Sequence, residues 1–271
     1  MHMISLQSLS DTSAIAGFKK AYLQSLTAPM DGMWDTGFTN PSPHWECLVE
    51  GERAGYVAAS NEGVLLQFYV SPEFVLHAPS ILDHVLVELK LEKAVVSTID
   101  HAFFSLCLDK MPAMTASTFL YSMQSPTAPE HPDADGTWLR PIEASELARA
   151  TALQNLCLGG SPGENEWLQG YSTYLISRRE LWAFTRGDEW LGLGERRKSD
   201  TQPGIVDLGV MIDPAERGKG WAAYVLCVLN TDCTAEGLTT ICSTTIDNVA
   251  SQKAIERAGF RSRHRIVDVS F

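Results

Sequence analysis

Residues 206–229 read VDLGVMIDPAERGKGWAAYVLCVL. An apolar run ends at Asp213 and Pro214. Arg217, Gly218, Lys219 and Gly220 follow at once, and from Trp221 and Ala222 onward the apolar spacing is helical. Glycines let a backbone turn its N–H groups to one side and let a ligand approach closely. A helix that starts directly afterwards adds unpaired N–H donors and the positive end of its dipole. The chemistry this combination suits is the holding of an anion, phosphate above all. A basic strand-to-helix turn with no ligand would have the same local composition, so the rest of the chain has to decide.

The elements needed to position such a loop can be read from the pattern. The strand ending at Pro214 precedes a long helix, a buried strand over residues 239–246, another helix, and a last strand over 261–271. Upstream, EASELARATALQNLCL places Leu147, Leu153 and Leu156 on one helical stripe, and residues 181–194 read as a hairpin turning at Gly187 and Asp188. Strands mixed with helices in this order predict a mixed α/β sheet with helices on both faces.

The same plan occurs earlier in the chain. SDTSAIAGFKKAYLQSL carries Ile15, Phe18, Tyr22 and Leu26 on one stripe, with Ser10 or Asp11 as its cap. WECLVEGERAGYV matches WAFTRGDEWLGLG and pairs Gly55 with Gly192. LLQFYVSPE matches DLGVMIDPA and pairs Pro72 with Pro214. VSTIDHAFFSLCLDK resembles STTIDNVASQKAIER and pairs Asp100 with Asp247. Three collinear matches predict two copies of one fold. Between them, SMQSPTAPEHPDADGTW has no apolar period and reads as a linker. The expected division is 1–123, a linker over 124–137, and 138–271.

Composition narrows the function classes. The chain has 271 residues, 45% of them hydrophobic, and a formal net charge of −12. An acidic surface disfavours nucleic acid and acidic membranes as partners and mildly favours cationic small molecules. No apolar run reaches the roughly 20 residues needed to span a bilayer, and no secretory signal is read at the N-terminus. Six scattered cysteines lack metal-ligand spacing and suit a reducing cytoplasm, so no metal site is expected.

At these residues the second half resembles the GNAT superfamily of N-acetyltransferases. In that family a central strand ending in Pro is followed by Arg-x-x-Gly-x-Gly/Ala at a helix start, here Pro214, Arg217, Gly220 and Ala222. The family also tends to have an Asn after the next strand and a helix ending in Gly-Phe, here Asn248 and Gly259-Phe260. The resemblance implies acetyl-CoA as co-substrate and a small-molecule amine as acceptor, joined by direct attack. It implies that the pyrophosphate lies on the N–H groups of Arg217, Gly218, Lys219, Gly220, Trp221 and Ala222. The pantetheine arm would pair with the splayed strand at Val210, Met211 and Ile212, with Asn248 and Ser251 facing it.

The catalytic groups are less clear. Where the family often has a Tyr acting as general acid, this chain has Ile255, so the role falls to another group or is absent. Asp207 is the first candidate for the general base, with Glu195 and His264 behind it. The segment GGSPGENEWLQGYSTYL falls where the family's substrate-facing loop and second helix lie. Glu164 and Glu166 could meet a cation there, while Trp167, Tyr171 and Tyr174 fit a core more readily than a cleft. The first half lacks the glycine loop, has Pro79 at its helix start and His101 in the place of Asn248, and reads as a degenerate copy. A non-catalytic acyl-CoA-binding protein and an aminoacyl-tRNA-dependent transferase remain alternatives.

Overall fold

The computed structural model describes residues 2–159 and 165–271. The chain forms two compact units. One comprises the residues up to Leu120 together with Arg263–Phe271, and the other comprises Tyr121–Ser262.

The first unit contains β1 (Ile4–Leu9), α1 (Ala16–Ser25), β2 (His44–Val49), β3 (Glu52–Ala59), β4 (Val64–Val70), α2 (Ala78–Glu88), β5 (Lys93–Ser97), α3 (His101–Leu108) and most of β6 (Ala113–Met123). Strands β1 to β4 pair antiparallel in sequence order, and β4 pairs parallel with β5 at Val64 and Leu65. Asp11 caps the 3-10 turn before α1 by accepting from Ser13 N–H at 3.0 Å, and Ile15 and Tyr22 of the expected stripe are buried. A π-helix at Trp34–Thr39, which no periodicity announces, buries Asp35 and Thr39.

The second unit contains β7 (Thr137–Pro141), α4 (Leu147–Leu158), α5 (Trp167–Ser177), β8 (Leu181–Arg186), β9 (Glu189–Lys198), β10 (Ile205–Ile212), α6 (Trp221–Ala235), β11 (Thr239–Thr245), α7 (Val249–Arg257) and the start of β12 (Phe260–Ser270). Strands β7, β8, β9 and β10 pair antiparallel and β10 pairs parallel with β11, so the sheet is mixed, as expected. Its core joins Ile142, Ala150, Leu153, Leu175, Trp190 and Leu193.

The C-terminal strand departs from the expected division. Sequence order places residues 263–271 with the second half, yet β12 runs antiparallel to β5, with Ile266 opposite Ser97 and Val269 opposite Ala94. Burial explains the placement, because Val267 and Val269 are core residues of the first unit, packed with Val96, Leu82 and Phe103.

The internal repeat has a backbone signature. Gly55 pairs with Val70 and Gly192 pairs with Ile212, each opposite the residue two before the proline. A Cβ on Gly55 would lie 2.0 Å from the Tyr69 carbonyl oxygen, and one on Gly192 would lie 2.5 Å from that of Met211. Both glycines admit the backbone of a central strand where a side chain cannot fit. The last aligned pair shifts by one residue. Asp100 caps α3 through Phe103 N–H, and Asn248 caps α7 through Ser251 N–H, each at 3.1 Å. Asp100 therefore matches Asn248, and His101 does not.

Candidate functional site

Strand β10 keeps its pairing with β9 from Val206 to Ile212, but its parallel register with β11 covers only Ile205, Val206 and Asp207. Beyond Asp207 the two strands part, and one edge of β10 opens beside Val210, Met211 and Ile212. The chain then makes a 3-10 turn at Pro214–Glu216, capped by Asp213 Oδ1 accepting from Ala215 N–H at 2.8 Å. Gly218 and Gly220 follow with φ of 79° and 98°, a region that favours glycine. Gly220 is the N-cap of α6, and helical bonding begins when Tyr224 N–H donates to the Gly220 carbonyl. The N–H groups of residues 218–223 have no protein acceptor among the described residues.

A cleft of about 570 Å³ joins these features. It is lined by Val210, Met211 and Ile212, by Arg217, Gly218, Gly220, Trp221 and Ala222, and by Asn248 and Ser251 at the start of α7. Those are the expected co-substrate residues, with one exception. Lys219 lies outside the cleft, its Nζ 2.6 Å from Glu216 Oε1. Arg217 acts as a brace, donating through Nε to the Ile212 carbonyl at 3.2 Å and through an Nη to that of Cys157 at 2.8 Å. Asn248 Oδ1 is occupied by its capping bond, which leaves its amide for a ligand. Sequence reasoning missed Cys157, Lys253 and Arg257 on the cleft wall. Lys253 and Arg257 stand four apart on α7, so a basic stripe beginning five residues after Asn248 was the available signal.

The opposite face of β10 carries a buried polar cluster. Cross-strand pairing sets Asp207 opposite Arg197 and Gly209 opposite Glu195. Arg197 bonds to Glu195 Oε2 and lies 3.0 Å from Asp207 Oδ1, while the Tyr171 hydroxyl donates to Glu195 Oε2 at 2.8 Å. Burial alone would lower the Arg197 pKa, but Asp207 and Glu195 together hold it well above its ordinary value. Burial also pushes the Tyr171 phenol up, so it stays protonated and donates. A Cβ on Gly209 would lie 3.0 Å from Glu195 Oε2, which places that carboxylate directly over the central strand.

Asp207 is thus buried, ion-paired and set where β10 and β11 are still joined. His264 lies on β12 in the other unit, 3.3 Å from Thr98 Oγ1. Ile255 is 5% exposed and packs in the core. Trp167 and Tyr174, expected in a core, are 53% and 46% exposed. Glu166 is exposed, and Glu164 lies outside the described residues. Among the described residues no group of acidic, His and Cys side chains is arranged to hold a metal, and no helix is long and apolar enough to cross a membrane.

Comparison with known proteins agrees with this geometry. Two family profiles, each described as an acetyltransferase (GNAT) domain, match residues 11–124 and 128–261. An acetyltransferase of the GNAT family from Colwellia psychrerythraea is 32% identical, with 98% of this chain and 99% of that one covered at a TM-score of 0.89. A GCN5-related N-acetyltransferase from Sphaerobacter thermophilus shares the fold at 18% identity, with 98% and 94% covered and a TM-score of 0.63. A tandem GNAT protein from the clavulanic acid biosynthesis pathway does so at 11% identity, with 99% and 98% covered and a TM-score of 0.68. No curated protein matches the chain. The protein belongs to the GNAT acetyltransferase family and carries two GNAT domains in tandem.

Proposed function

We propose that the second unit binds acetyl-CoA and transfers its acetyl group to the amine of a small molecule. The observation that carries this reading is the continuous cleft that runs from the glycine loop at the start of α6 to the open edge of β10. The loop's N–H groups and the α6 dipole suit the pyrophosphate. The cations of Lys253 and Arg257 on the cleft wall add positive charge for the phosphates. The open edge offers strand N–H groups to the pantetheine amides and to the thioester carbonyl. A donor placed at that carbonyl also stabilises the oxyanion formed on attack.

The chemical step follows from the two faces of β10. The amine nitrogen attacks the thioester carbonyl carbon, the C–N bond forms, and the C–S bond breaks to release the CoA thiolate. A thiol with a pKa of about 8.5 is a tolerable leaving group without a dedicated acid, which fits the burial of Ile255. The ammonium proton passes to Glu195, whose carboxylate overlies Gly209 at the point where the strands part. Both bonds to that carboxylate fall on Oε2, and Oε1 carries none among the described residues. In this assignment Asp207 holds Arg197 in place and does not take the proton. The net charge of −12 favours a cationic acceptor. The free thiols suit a cytoplasmic setting.

Calorimetry with acetyl-CoA and a thiol-release assay over a panel of amines test the reading together. The expected result is one site per chain and thiol release that depends on an amine. Absence of CoA binding would overturn it. Binding with no turnover across a broad panel would favour an acyl-CoA-binding protein without catalysis.

A further inference from the structure

We propose that His131, in the segment whose composition suggests only a linker, is a positioning residue for the acyl-CoA site. This rests on the reading that the glycine loop holds the pyrophosphate. The His131 ring stacks on Trp221 with centroids 3.7 Å apart and planes 18° from parallel, and its Nε2 lies 2.7 Å from the Lys219 carbonyl oxygen. Its Nδ1 accepts from Asp133 N–H at 3.1 Å. A nitrogen that accepts carries no proton, so in the neutral ring the proton sits on Nε2 and is donated to Lys219.

That bond sets the direction of a group in the cleft. In a trans peptide the C=O and N–H point opposite ways. Holding the Lys219 carbonyl toward His131 therefore turns the Gly220 N–H away from it, and Gly220 lines the cleft. The segment is itself fixed: Ala134 N–H donates to the His131 carbonyl at 3.1 Å, Thr137 N–H to that of Ala134 at 3.0 Å, and Arg186 to that of Asp133 at 3.0 Å. Trp221, 2% exposed, is held by its indole N–H donating to Glu216 Oε2 at 3.2 Å. Glu216 also holds the Lys219 side chain. The peptide before Gly220 is thus clamped on the side away from the ligand. The clamp spares CoA the cost of ordering a loop whose two glycines would otherwise leave it free to turn.

The test uses the full chain and CoA. His131→Ala removes both the bond and the stack, which are worth about tenfold together at typical strengths. The CoA dissociation constant should rise by about that factor with little change in melting temperature. His131→Gln, which can still donate to Lys219, should recover most of the affinity. His131→Phe, which keeps only the stack, should fall between. The amide resonance of Gly220, followed by NMR at saturating CoA, should shift less on binding in His131→Ala than in the native chain. Unchanged CoA affinity in folded His131→Ala overturns the proposal. So does an equal loss in the Gln variant with a native Gly220 shift, since that would mean general destabilisation. Failure of the native chain to bind CoA overturns the site reading first, and this inference with it.

Discussion

The two units share one plan and differ at the point where a ligand would be held. After Pro72 the backbone runs from a 3-10 turn straight into α2, through His77 at φ −92°, with no positive φ among residues 71–79. After Pro214 it makes the same turn, then inserts Gly218 and Gly220 with positive φ before α6. The strand opening is common to both, since β4 pairs with β5 only at Val64 and Leu65 although β4 continues to Val70. A parted strand pair is therefore common to both units, and the glycine cradle is found in one of them. The buried polar groups differ as well. In the second unit Glu195 and Asp207 share the charge of Arg197. In the first, Asp100 accepts hydrogen bonds from Phe103 and Tyr22, and burial raises its pKa to about 6. His44, stacked on Tyr56, is pushed down to about 4 by burial and stays neutral.

The sharpest way to break this comparison is to fill the cradle. Gly220→Glu puts bulk and negative charge where phosphate would sit and should weaken CoA binding by about 1,000-fold. The first unit should melt as before, and calorimetry beside a melting curve checks both. Retained affinity in a folded variant would reduce the loop to a turn.

The next largest effect tests the equivalence of the two strand glycines. Gly55→Ala and Gly192→Ala should each cost about 3 kcal/mol in denaturant unfolding, because each methyl meets backbone. Only Gly192→Ala should also weaken CoA binding, since Ile212 beside it lines the cleft. Loss of CoA affinity in Gly55→Ala would show that the first copy takes part in the site.

Ile255→Tyr asks whether the family's acid can be restored. Ile255 faces the core, so the ring should overpack and destabilise by about 2 kcal/mol, with no gain in thiol release. Higher turnover at native stability would show that the side chain reaches the thioester.

The smallest effect concerns the matched caps Asp100 and Asn248. The folded pKa of Asp100 is raised, so its stabilising share is complete below the ordinary carboxyl value and is lost as pH rises through about 6. Asp100→Asn keeps the cap and cannot ionise. It should be neutral to stability at pH 4 and stabilise the first unit at pH 8. A gain of equal size at both pH values would remove burial of charge as the cause.

These comparisons also show what could be read without a structure. The Pro, the two glycines and the helical run after them specify the loop because each residue there answers a local backbone demand. The strand glycines could be paired from sequence for the same reason. The surroundings of Asp207 were not legible, because alternation along a strand names a face and says nothing of what the face meets, and here it meets Arg197. Glu195 gains its place from a cross-strand register that no single strand encodes. His131 was hidden because a segment without apolar period reads as a tether, although one aromatic ring stacked on Trp221 is enough to fix it. The last strand was counted with its sequence neighbours, since nothing in RSRHRIVDV states which sheet edge it joins.

That last strand has a consequence for how the protein comes to be. Ser97 Oγ donates to the carbonyl of Arg265, a partner 168 positions along the chain. On the ribosome, the first unit would emerge with β5 lacking its β12 partner and would wait for the whole second unit to be made. Contacts this distant in sequence form slowly, and a strand edge left bare in the interval is a template for pairing with other nascent chains. Separating the two units by a cut between them would leave the first without its Val267 and Val269. The two copies read as a simple tandem in sequence, but the chain of the first closes only after the second has been made.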